Sequence, residues 1–269
     1  MARPIWFVEL LKKTFPNINF LAKLTKIPFI GKFIELLLFK GDSLFYLPSD
    51  KVIPIGESIE NQSSVIPSQV VDYFIENAGY IRVMNFCICR DSNNCKNYPI
   101  ELGCMFLGEA ARDINPNLSR ELTKEEAFDH VRKCREAGLI HLIGRNKLDT
   151  VWLNVKPGKK LLTICNCCEC CCLWRIIPHL KSDISNKVHK MPGVKVNVSD
   201  QCIGCGTCVD VCFAEAIHII GDRAYIDQNC KACGRCVEVC PRNAIKISID
   251  TSKMIENSIN KIKSLVDVT

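Results

Sequence analysis

Two matching cysteine runs constrain this chain more than any other feature. Residues 201–217 read QCIGCGTCVDVCFAEAI and residues 230–245 read CKACGRCVEVCPRNAI. Each run has the spacing Cys-x2-Cys-x2-Cys-x3-Cys: Cys202, Cys205, Cys208 and Cys212 in the first, Cys230, Cys233, Cys236 and Cys240 in the second. Thiolates at that spacing wrap a 4Fe–4S cubane, provided the backbone coils closely around it. Gly204, Gly206 and Gly234 permit such a coil because they carry no Cβ. Zinc and disulfides are the rival uses of eight cysteines, but two copies at one spacing favour clusters. Between the runs, IHII and RAYI flank Gly221-Asp222, the pattern of a small hairpin.

From about Val194 to Ile249 the chain resembles a bacterial-type two-cluster ferredoxin. The resemblance implies a pseudo-symmetric α+β module in which the fourth cysteine of each run serves the other cluster. One cluster would then take Cys202, Cys205, Cys208 and Cys240, and the other Cys230, Cys233, Cys236 and Cys212. The family places proline after each fourth cysteine; Pro241 fits, whereas Phe213 stands at the first position.

The remainder of the chain must account for eleven more cysteines, out of nineteen in 269 residues. Met1 to Leu11 has Glu9 within its only apolar run and no small-residue cleavage site after it, so export and disulfides are not expected. A reducing cytoplasm suits the thiols better. No apolar run approaches the roughly 18 residues a membrane span needs. The net charge of +6 is modest and its cations are scattered, which argues against nucleic-acid binding.

In chain order, residues 1–47 read as two or three short helices broken by Pro16, Pro28 and Gly31. Seven cations stand there against Glu9, Glu35 and Asp42, beside Trp6, Phe7, Phe20, Phe29, Phe33, Phe39 and Phe45. Such a basic, apolar segment packs on a neighbouring domain or a twin subunit, or lies on an anionic membrane. Residues 48–67 read as an irregular connector. A cysteine-rich α+β domain is expected over 68–182. It starts with a helix from Ser68 to Gly79 capped by the serine, followed by a strand over 80–86. Thr123 to Gly138 is the clearest helix, with Thr123 and Glu126 as a capping box. Strands are expected at 139–143, 150–155 and 160–164, and a short helix at 173–180. The ferredoxin-like region spans 194–250. Residues 251–269 read as an amphipathic helix that docks on the body or a partner.

Ten cysteines upstream of the paired runs are candidate metal ligands. Cys87, Cys89, Cys95 and Cys104 lie in CICRDSNNCKNYPIELGC, with Arg90 placed to meet a cluster, an anion or a surface carboxylate. Four thiolates suit an iron–sulfur cube or a tetrahedral zinc, with zinc the weaker fit to a Cys-x-Cys start. Cys165, Cys167, Cys168, Cys170, Cys171 and Cys172 lie in CNCCECCC. An extended chain would send Cys165, Cys167 and Cys171 to one side and the other three to the opposite side. Thiolates this dense repel and oxidise unless a cation holds them. The ten suffice for two four-ligand clusters with two thiols to spare, or for one larger cluster. Cys134, on the apolar face of its helix, reads as a core residue.

The order of CICR, CNCCECCC and the two paired runs also resembles a group of anaerobe proteins described only as ferredoxin-like, a resemblance that supplies cofactors but no reaction. No Gly-x-Gly-x-x-Gly follows a strand, and VKPGKK is not a phosphate loop, so electrons must enter and leave through proteins or a small substrate. Three functions fit: an electron-transfer protein relaying low-potential electrons to a partner redox enzyme, an oxidoreductase reducing a small, sulfur-containing substrate at an upstream cluster with an open iron, or an iron–sulfur scaffold.

Overall fold

The computed structural model describes residues 3–52, 67–249 and 254–269. Most of the expected connector, and residues 250–253, lie outside these described residues. The architecture is α+β. Three short helices, Ile5–Lys12, Ile18–Leu24 and Pro28–Ile34, lead into strand β1 (Ser43–Tyr46). The sheet that β1 joins continues with β2 (Ile81–Met84), β3 (Met105–Leu107), β4 (Ser119–Glu121), β5 (Ile140–Arg145), β6 (Leu162–Cys167) and β7 (Val188–Lys190). Its order is β4-β2-β3-β6-β5-β1-β7, antiparallel throughout except for β1 beside β7. Residues 43–46 of the N-terminal segment are therefore built into the middle domain.

The pleat divides the chemistry of this sheet. Along β6, Leu162 and Ile164 point into the main core with Met105 and Leu107 of β3. That face is covered by helices Ser68–Glu76, Lys124–Glu136 and Met254–Lys263, the last burying Met254 and Ile262 against the body. The alternate residues Cys165 and Cys167 point to the opposite face, as a period of two requires. There they meet the N-terminal helices instead of the core.

The helix over 124–136 starts where its sequence signal places it. The Thr123 hydroxyl accepts from the Glu126 amide, and Glu126 accepts from the Thr123 amide, so the capping box is formed. Residues 150–155 differ from expectation: they lie in and just after a helix, Lys147–Leu153, that ends at Asn154 in the left-handed conformation. The cause is Asp149, whose buried carboxylate accepts from Asn146, Trp152 and Thr163 at 2.7, 2.7 and 2.8 Å. Two of those partners are three residues away, a reach that helical backbone supplies and a strand does not. Ser68 sits inside its helix, buried, with Pro67 at the cap position.

After β7 the chain forms β8 (Val194–Val198), β9 (Ile217–Ile220), β10 (Arg223–Ile226) and β11 (Ile245–Ile249), paired as β8 with β11 and β9 with β10. Val194, Ala232 and Ile247 enter the main core, so this module packs directly on the sheet domain. Among the described residues no helix is long and apolar enough to cross a membrane.

Candidate metal centres

The paired runs fold as two copies of one loop. Gly206 and Gly234 take φ of +82° and +93° at the start of the one-turn helices Thr207–Asp210 and Arg235–Glu238. Glu215 and Asn243, each three residues past a fourth cysteine, share φ near +50°. Gly204 and Ala232 occupy a third equivalent pair, at φ +64° and +52°. A Cβ at Gly204 would lie 2.7 Å from the Asp222 carbonyl carbon, so close approach of the β9–β10 turn excludes a side chain there.

Cys202, Cys205, Cys208 and Cys240 line one small cavity in this module, and Cys212, Cys230, Cys233 and Cys236 line another. Backbone amides aim at the sulfurs. Ala224 donates to Cys202 at 3.3 Å, Ala216 to Cys212 at 3.4 Å, Ala232 to Cys230 at 3.4 Å and Ala244 to Cys240 at 3.3 Å. Such N–H···S bonds stabilise negative sulfur, the form in which cysteine binds iron.

The upstream cysteines separate into two groups, and the division does not follow the two sequence clusters. Cys87, Cys89, Cys104, Cys165, Cys167 and Cys172 line a cavity of about 240 Å³ on the far face of the sheet. Cys104 lies directly opposite Cys165, because the antiparallel register of β3 and β6 continues one residue beyond Met105↔Ile164. Cys87 and Cys89 arrive from the end of β2 and the first turn of helix Ile88–Ser92. Phe7, Leu11, Phe15, Ile18 and Leu38 of the N-terminal segment close the other side, with Trp152 and Trp174 beside them. The second group is Cys95, Cys168, Cys170 and Cys171, whose sulfurs all lie within 4.8 Å of one another. Cys168 also borders the cavity.

Extended alternation through CNCCECCC fails because β6 ends at Cys167 and the chain turns over 169–171. The turn carries Cys171 to the tight group, away from Cys165 and Cys167, and brings Cys172 back to the cavity. Cys95 likewise leaves the other three cysteines of its loop. Cys134 is fully buried among Leu102, Leu139 and Cys168, and burial pushes its thiol up to about 12.

Arg90 braces this construction. It is fully buried and donates to the carbonyls of Pro99 at 2.8 Å, Asn166 at 2.8 Å and Leu102. It thereby ties the 87–104 loop to β6 and places a positive charge beside Cys87, Cys104 and Cys168. Three further residues, none of them a cysteine, join the site. Tyr46 is buried, and its hydroxyl lies in the electrostatic environment of Cys167 and Cys172. Its ring packs on Phe213 at 4.9 Å between centroids, and burial raises its hydroxyl well above its ordinary value, with Cys167, Cys172 and Cys233 adding to the effect. Glu169, the one residue between Cys168 and Cys170, accepts from Tyr98 at 2.8 Å and from Arg235 at 2.5 Å. Arg235, beside Cys236 in the second run, also donates to the Cys167 carbonyl at 2.8 Å.

The cavity thiols are electrostatically interlocked. Hydrogen bonds from Cys104 and Cys89 hold Cys87 well below the usual thiol range. Their counterparts rise: Cys104 through Cys165 and Cys87, Cys89 through Cys87 and burial, and Cys167 through Cys172 and burial. Six thiols in apolar surroundings cannot all ionise without a cation, and a metal or cluster is the group that replaces their protons. The donor set fits such a group.

A family model for the 4Fe-4S dicluster domain matches residues 194–241. Over these residues the chain is similar to iron–sulfur proteins that carry two 4Fe-4S clusters. No curated protein and no solved structure matches the chain. The matched segment covers both cysteine runs up to Pro241, and the sheet domain with its eleven thiols lies wholly outside it.

Proposed function

We propose that the protein is an electron-transfer protein in which a two-cluster ferredoxin module exchanges low-potential electrons with a further iron–sulfur centre in the sheet domain, on behalf of a partner redox protein. In this reading Cys202, Cys205, Cys208 and Cys240 hold one 4Fe–4S cluster of the module, and Cys230, Cys233, Cys236 and Cys212 hold the other. The six-thiol cavity holds the upstream centre. Bound clusters would supply one-electron steps at each site.

The observation that carries the reading is Tyr46. Its hydroxyl meets Cys167 and Cys172, its ring rests on Phe213, next to Cys212, and its environment is shared with Cys233. A single buried side chain thus reaches from Cys167 and Cys172 of the six-thiol set to Phe213, beside the second cavity of the module. Glu169 and Arg235 clamp the same junction. Tyr46→Phe keeps the ring and removes the hydroxyl. Mixed anaerobically with a reduced low-potential donor, that variant should reduce its module at the normal rate and its upstream centre about tenfold more slowly, a loss equivalent to about 1.4 kcal/mol of barrier. Unchanged upstream kinetics would remove Tyr46 from the path, and an upstream site that never takes up electrons would defeat the relay.

A second observation bears on location. The N-terminal helices turn Trp6, Phe20, Phe29 and Phe33 outward at 66, 65, 90 and 65% exposure, among the exposed Lys13, Lys23, Lys26, Lys32 and Lys40. Lysines flanking bare aromatic rings fit an anionic lipid surface better than a second basic copy of the same face. We therefore read this face as a peripheral membrane contact of a cytoplasmic protein. Co-sedimentation with vesicles containing phosphatidylserine should exceed that with neutral vesicles and fall in Phe29→Glu/Phe33→Glu. Dimerisation through the face without vesicle binding would contradict it.

A further inference from the structure

The four thiols at the rim of the sheet domain differ in kind from every other cysteine set in the molecule. Cys95 Sγ lies 3.6 Å from Cys170 Sγ, Cys170 Sγ lies 3.5 Å from Cys171 Sγ, and Cys168 completes a set contained within 4.8 Å. Four sulfurs around one metal at about 2.3 Å stand about 3.8 Å apart, the edge of the tetrahedron they define. Sulfurs on the corners of an iron–sulfur cube stand farther apart, because each binds a different iron. The molecule contains its own control. Among the described residues this is the one group of three or more such ligands drawn within 4.8 Å, so neither quartet of the dicluster domain nor the six-thiol cavity shows that closeness.

We propose that Cys95, Cys168, Cys170 and Cys171 form a mononuclear tetrathiolate site for one divalent metal ion, zinc or iron, bound without sulfide. All four positions are filled by protein sulfur, which marks a closed, structural site. Zinc is the favoured ion, since it outcompetes ferrous iron at a given ligand set.

Position supplies the role. The site joins the 87–104 loop to the turn after β6, segments separated by about seventy residues, and so fixes a long closure that chain entropy opposes. Glu169 lies inside the ligand run, and Tyr98 lies three residues from Cys95; both belong to the cluster of bonds that ends on Arg235. The metal would thus hold rigid Glu169, the acidic side chain that clamps the dicluster domain through Arg235 beside Cys236. The inference stands whether or not the six-thiol cavity holds a cluster.

The test uses full-length protein purified without oxygen. Zinc, iron and acid-labile sulfide are counted per chain in the natural protein and in Cys95→Ser/Cys170→Ser. The variant should lose one metal ion and no sulfide. A drop in zinc identifies zinc, and a drop in iron alone identifies a single iron. Loss of iron and sulfide in equal numbers would show a cluster at the rim, and loss of neither would show free thiols; either result overturns the proposal. Should the variant fail to fold, X-ray absorption on the natural protein decides. A zinc or sulfide-free iron site with four sulfur neighbours at about 2.3 Å supports the assignment, and nitrogen or oxygen neighbours, or fewer sulfurs, refute it.

Discussion

The dicluster domain and the sheet domain gather cysteines in opposite ways. In the module, sequence neighbours become spatial neighbours: two short coils, each started by a left-handed glycine, bring Cys202, Cys205 and Cys208 or Cys230, Cys233 and Cys236 together. In the sheet domain the thiols come from the end of β2, the approach to β3, and β6 with the turn beyond it. They meet only because the strands pair in one register. A local site survives disturbance elsewhere, whereas a site assembled by the fold fails with the fold.

That contrast predicts the largest effects. Cys205→Ser should remove about four irons per chain and leave the upstream absorption intact, and Cys165→Ser should remove the upstream metal and leave the module assembled. Iron and sulfide analysis with paramagnetic resonance reads both. Loss of every signal in either variant would mean one interdependent core and would dissolve the comparison.

Arg90 sharpens it. Arg90→Gln removes a buried guanidinium and strands three carbonyl acceptors, a change that costs about 2–4 kcal/mol. The melting temperature should fall and upstream metal should be lost, while the dicluster spectrum at low temperature matches the natural protein. Equal damage to both regions would show that Arg90 supports the whole molecule and not one site.

Smaller effects probe the internal symmetry of the module. Gly204→Ala forces a Cβ to within 2.7 Å of backbone at a φ of +64° and should destabilise the module by about 2 kcal/mol or more. Its symmetry mate responds in reverse. Ala232→Gly relieves a left-handed alanine at φ +52° and should be neutral or stabilising by up to about 1 kcal/mol. Thermal loss of the cluster absorption at fixed heating rate compares the two. Destabilisation by both substitutions would show that Ala232 matters through its contacts in the main core.

The same contrast explains what the sequence could reveal. The hairpin at Gly221-Asp222, the capping box at Thr123 and the docking of Met254 and Ile262 are local or periodic signals, and each appears in the structure. The helix over 147–153 was hidden because Asp149 gains a partner, Thr163, from a strand that sequence does not place beside it. The division of the ten upstream thiols was hidden for a similar reason, since the turn after Cys167 and the departure of Cys95 are tertiary events. Tyr46 carried no signal in SLFY, which reads as part of a helical segment and which the structure instead pairs into the sheet as β1. Glu169 did carry one: a lone carboxylate amid five neighbouring cysteines is an expensive residue that some cation must justify, here Arg235.

The proposed relay requires the sheet domain to hold a redox centre of its own in contact with the module. An anaerobic reductive titration of the full chain, followed by paramagnetic resonance and repeated on Cys165→Ser, tests it most directly. A working relay takes up more electrons than the two that a pair of 4Fe–4S clusters accepts, and it shows an additional signal that interacts magnetically with the module and vanishes in Cys165→Ser. Uptake of two electrons, with identical spectra for the natural protein and Cys165→Ser, would contradict it.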